Sequence, residues 1–111
     1  MDIDSETIAR IDATLLPQLD RHHLRLLAHC LASFRGMDPE ATGALPGAAA
    51  RRRWCEQQPI VADDPQFLIV LLNQLNNAAQ QLERVADNCG KAPLQLNLDD
   101  LIRAAETRCR H

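Results

Sequence analysis

Between Pro65 and Gly90 the chain repeats apolar residues at alternating spacings of four and three: Leu68, Leu72, Leu75, Ala79, Leu82, Ala86 and Cys89. This period keeps one helical stripe turned toward the same neighbour, whereas a strand alternates its side chains every second residue and cannot present it. Phe67, Leu71, Ala78 and Val85 lie beside the stripe and widen its arc to about 140°, so the helix meets more than one neighbour. Asp63-Asp64-Pro65 predicts the start, with a carboxylate at the cap and proline in the first turn, and Gly90 predicts the end. A long central helix over about residues 65–89 is therefore the element around which the rest must pack.

Composition agrees with that constraint. Leu and Ala supply 33 of the 51 hydrophobic residues, Val and Ile supply nine, and Tyr is absent. Leu and Ala favour helices, while the β-branched and aromatic residues that favour strands are scarce. A length of 111 residues fits one domain, so the expected fold is all-α: a compact bundle of four to five helices in a single domain over 1–111.

On the N-terminal side, Asp4 or Ser5 predicts a helix cap, followed by Ile8, Ile11, Leu15 and Leu19 on one face. Pro17 breaks this run, and a short first helix ending near Thr14 followed by a second from Pro17 suits it better than one kinked helix. The second places Leu24, Leu27, Leu31 and Phe34 inward and closes at Gly36 as a left-handed residue. Residues 37–64 collect prolines and glycines and are expected to be irregular, with only Gly47 to Gln57 helical. At the other end, Asn97 and Asp100 resemble a capping box ahead of a helix from Leu98 to about Arg110, with Leu98, Leu101, Ile102, Ala105 and Cys109 as its stripe. Leu94, Leu96 and Leu98 alternate as a short extended piece would, but three residues are too few to define a strand.

Charge excludes several classes of function. A net charge of −3 and a pI near 5.7 supply no overall field for nucleic acid or an anionic membrane. The acidic N-terminus does not resemble a signal or transit peptide, and Phe67 to Leu72, the longest clear apolar run, is far short of the ~20 residues of a spanning helix. A soluble, cytoplasmic protein is expected. In that setting Cys30, Cys55, Cys89 and Cys109, with no CxxC pair among them, are expected to be reduced thiols that mostly fill space. Arginines beside Cys55 would lower its pKa if they lay close to the sulfur.

Metal and enzyme motifs are missing. His22 and His29, and His23 and Cys30, share faces seven residues apart. Seven residues span about 10 Å of helix, too far for one ion whose ligands sit near 2 Å, so a site would need Cys109 or His111 from another helix. The acid pairs Asp63-Asp64 and Asp99-Asp100 fall at helix starts, where capping explains them. Glycine-rich phosphate loops, GxSxG and HExxH are absent, and no polar cluster converges on the core. No cofactor, small-molecule substrate or catalysis is expected.

The feature most informative about function is a gap in charge. From Pro65 to Leu82, eighteen residues carry no charged side chain. The polar face consists of amides, among them Asn73 and Asn77, which are cheaper to desolvate than charges. Ile69 and Val70 project onto this side, about 100° and 160° from the leucine stripe. Either the 37–64 segment covers them with Leu45, Trp54, Ile60 or Val61, or another protein does. Arg51, Arg52, Arg53 and Trp54 form the one basic-aromatic cluster. The expected function is a non-catalytic, homodimeric protein-interaction module, an adaptor, assembly factor or regulator, with Arg51, Arg52, Arg53, Trp54, Ile69, Val70, Asn73 and Asn77 as the candidate partner surface. The alternative is a nucleic-acid-binding regulator gripping phosphate through the arginines.

Overall fold

A computed structural model describes residues 4–37 and 43–109 of the chain. In chain order it has α1 (Ser5–Asp12), α2 (Gln18–Met37), α3 (Ala48–Glu56), α4 (Pro59–Asp63), α5 (Phe67–Cys89) and α6 (Leu98–Cys109), with a 3-10 turn at Pro93–Gln95 before α6. Among the described residues there is no strand. The all-α bundle around a central helix is thus the observed architecture. Asp38 to Thr42, with Pro39, and the terminal Arg110 and His111 lie outside the described residues.

The two-helix start stands as expected. Asp4 caps α1, its carboxylate accepting from the Thr7 N–H at 2.7 Å, and the chain re-enters a helix beyond Pro17, whose carbonyl accepts from Arg21 N–H. Leu15 and Leu19 do not face inward. They are 102% and 78% exposed, and Leu16 is the buried residue of this corner. The 3.6-residue period holds only within a continuous helix, and the break at residues 13–17 resets the phase. Gly36 is likewise not a left-handed terminus, because α2 runs on to Met37.

The linker-like segment is more regular than expected. It contains α4 as well as α3, and Pro59 occupies the first turn of α4 as proline prefers. Asp63 ends α4, so Asp63-Asp64-Pro65 is a turn between helices and α5 starts two residues late. Asp64 still does the capping: its carboxylate accepts from Gln66 N–H at 3.2 Å and its carbonyl from Phe67 N–H.

α5 touches α2, α3, α4, the 3-10 turn and α6. Leu75, Ala78, Ala79, Leu82 and Ala86 are buried on its inner face, against Leu24, Leu31, Phe34 and Cys30 of α2 and Leu101 and Ala105 of α6 within the same core. Cys89 and Cys109, counted in the stripes, are exposed at the last turns of their helices, while Cys30 and Cys55 fill space in the core. Gly90 takes the left-handed conformation at φ 68°, and Lys91 N–H reaches back to Ala86 carbonyl. That bond closes the helix and turns the chain toward α6.

The return is pinned by polar contacts. Leu94 is buried within the 3-10 turn, and Leu96, also buried, follows it in extended backbone. Their carbonyls accept from the Arg35 guanidinium, and Leu94 N–H donates to Gly43 carbonyl at 2.8 Å. Gly43 has φ 84°, and a Cβ there would stand 3.1 Å from Ala92 Cβ, so this approach needs glycine. Asn97 and Asp100 form a reciprocal capping box: Asp100 N–H donates to Asn97 Oδ1 at 2.9 Å and Asn97 N–H to Asp100 Oδ2 at 3.0 Å. Lys91 Nζ donates to the same carboxylate at 2.7 Å.

Two outcomes test these contacts. Leu82→Ala, at a fully buried position, is expected to cost about 2–5 kcal/mol in urea unfolding, and Leu15→Ser to stay within about 0.5 kcal/mol. The Lys91 ammonium and the Asn97 N–H hold the Asp100 carboxyl below its ordinary value. A lowered folded pKa stabilises above the unfolded value, about 3.9, and this contribution disappears as pH falls through the folded value. Asp100→Asn is therefore expected to lower the stability at neutral pH and to converge on wild type in strong acid, read from urea midpoints across pH 2–7.

Candidate functional site

The inner face of α5 is fixed by burial, and this decides what the opposite face must be. Leu75 and Leu82 are 2% and 0% exposed, and the positions half a turn away carry Gln66, Ile69, Val70, Asn73, Asn77 and Gln80, all exposed. Ile69 is 67% exposed and Val70 58%. Phe67 and Ile60, the latter on α4, are also exposed apolar residues at this end. An uncharged face carrying large apolar side chains is the composition of an interface core.

The lid expected from the 37–64 segment is only half realised. Leu45 and Trp54 pack against the core and Val61 is buried, but Ile60 faces solvent and Ile69 and Val70 stay uncovered. α3 and α4 complete the hydrophobic core and leave the amide face open. Not every amide belongs to that face. Gln81 lies half-buried toward α2, where His23 Nε2–H donates to its Oε1, and Gln74 is half-buried as well. The exposed amides are Gln66, Asn73, Asn76, Asn77 and Gln80.

Arg51, Arg52 and Arg53 do not form one cationic patch. Successive residues on a helix point about 100° apart. Arg51 is half-buried, Arg52 pairs with Glu56 at 3.2 Å one turn on, and Arg53 is exposed. Trp54 packs against the core while its carbonyl accepts from Gln58 Nε2 at 3.0 Å. Among the described residues, no hydrogen bond or ion pair joins this arginine segment to Ile69, Val70, Asn73 or Asn77.

The histidines and cysteines take ordinary structural roles. His22 is exposed, His23 holds Gln81, and His29 accepts from Ser33 Oγ through its carbonyl. Among the described residues no three His, Cys, Asp or Glu side chains gather as a metal would need. The arginines do not activate Cys55. Its thiol is fully buried, and burial, with the adjacent Glu56 charge adding to it, pushes its pKa upward. Burial raises Cys30 to about 11. No described helix is long and apolar enough to cross a membrane.

The fold and this face define a small all-α protein with one uncharged, partly apolar helix surface. Over residues 3–111 the chain matches the family described as NDH complex assembly factor CRR9, and it belongs to that family. Membership makes it an assembly factor, whose partners are proteins. No curated protein and no solved structure matches the chain.

Ile60 and Phe67 are the residues of this surface that the sequence pattern assigns elsewhere, Ile60 to the lid and Phe67 to the inner arc. Pro59, a first-turn proline, is the signal that would have placed α4. Thiol chemistry gives a direct check on the burial pattern. Alkylation of the native protein near neutral pH is expected to modify exposed Cys89 first and to spare Cys30 and Cys55 until denaturant is added, as read by mass spectrometry of peptides.

Proposed function

We propose that the chain is a non-catalytic assembly factor that docks a protein partner on the outer face of α5, with Ile69 and Val70 as the apolar centre and Asn73 and Asn77 as hydrogen-bonding groups beside them. One observation carries this: two large apolar side chains stay exposed on a face whose core side is already satisfied. Burying them on a partner gains hydrophobic free energy, and the surrounding amides are desolvated at far smaller cost than charges. The family name supports the same direction, with subunits of an NDH complex as the class of partner.

An Ile69→Asp/Val70→Asp variant puts two charges at the centre of this contact and disturbs nothing in the core. The expected result is an unchanged melting temperature with NDH complex accumulation in the native host falling at least several-fold when this variant replaces the wild type. Wild-type accumulation with the variant would sink the docking face. Self-association through the same face has its own readout: light scattering at high micromolar concentration gives a doubled mass for the wild type and a monomer for the variant if two copies meet there.

A further inference from the structure

We propose that the cleft between the C-terminal half of α5 and α6 is a second binding site, taking a carboxylate-rich peptide segment of a partner protein. The cleft is open to solvent, has a volume of about 670 Å³, and is lined by apolar Val85 and Ala104 together with Asn88, Arg103, Thr107 and Arg108. It adjoins a hollow of about 170 Å³ between α2, α5 and α6, which shares Val85, Asn88, Ala104 and Arg108 and adds Arg84. Four of the chain's twelve basic residues, Arg84, Lys91, Arg103 and Arg108, line these two spaces.

The charge here is unbalanced, although the chain as a whole is negative. Asp100 is the one acidic residue on either lining, and its carboxylate is occupied by Lys91 Nζ and Asn97 N–H. The ion pairs of the other arginines lie elsewhere, Arg10 with Asp99, Arg25 with Asp12 and Arg52 with Glu56. Arg84, Arg103 and Arg108 enter no ion pair among the described residues. Three guanidinium groups outside any ion pair among the described residues, with Arg103 close enough to Asp100 to act on its charge, line the two spaces with apolar Val85 and Ala104, the Asn88 amide and the Thr107 hydroxyl, and fit an extended segment that alternates acidic and small apolar side chains.

The same lining argues against a polyanion. The Asp100 carboxylate on one wall and the overall charge of −3 oppose a nucleic acid backbone more than scattered carboxylates. The site stands on its own charge and shape, and does not depend on docking at the outer face of α5.

Exposed Cys89 also lines the cleft and serves as a reporter. The test uses the full chain with a fluorescein-labelled (Glu-Ala)5 peptide at low salt, followed by anisotropy, and in parallel the alkylation rate of Cys89. The expected results are peptide binding that weakens with salt, slower alkylation of Cys89 but not of Cys109, and about a tenfold loss of affinity in Arg103→Gln/Arg108→Gln, about 1.4 kcal/mol. Arg52→Gln/Arg53→Gln is expected to bind as wild type. The proposal is overturned if the peptide does not bind, if Cys89 is not protected, if the α3 variant loses as much affinity as the α6 variant, or if a ten-residue oligothymidylate binds more tightly than the peptide.

Discussion

The burial of one stripe of α5 is the constraint on which the other contacts depend. Leu75, Ala78, Ala79, Leu82 and Ala86 combine large and small side chains in one buried stripe that shares its core with α2 and α6. Every element after α1 either packs on this helix or follows directly from where it ends. Because the stripe is buried from Leu75 to Ala86, the rotation of α5 about its axis is settled. Ile69 and Val70 are held outward as a consequence of core packing.

A stripe does not say where the chain goes next, and that is the work of polar groups at the far end. Gly90 reverses the direction, Arg35 binds the carbonyls of Leu94 and Leu96, and Asp100 joins Lys91 to the first turn of α6. These contacts link α2, the turn and α6 through buried or half-buried backbone groups, which would cost free energy if left unpaired. They also set the mouth of the arginine-lined cleft, since Lys91 and Asp100 stand on its wall. Apolar packing thus fixes which faces are inside, and a few hydrogen bonds fix the path between them.

What could be read from the sequence follows the same division. Local signals were legible: Asp4 as a cap, the break at Pro17, the period of α5, Gly90 and the Asn97–Asp100 box depend on residues within a turn or two of each other. Leu15 and Leu19 misled because periodicity was carried across a break where helical phase is lost. Cys89 and Cys109 fit their stripes by spacing, but the neighbouring helices do not cover the last turns, and spacing has no access to where a neighbour ends. The outer face of α5 was visible as missing charge. The cleft was not, because Arg84 on one helix and Arg103 and Arg108 on another become neighbours only through the packing of α5 against α6.

The charge-free stretch from Pro65 to Leu82 has a further consequence for any contact made through it. Its exposed side chains neither gain nor lose protons across the ordinary pH range, and they hold no counterions to release. These eighteen residues therefore add no titrating group and no released counterion to a complex formed on that face, and whatever dependence on pH it has comes from groups outside the stretch.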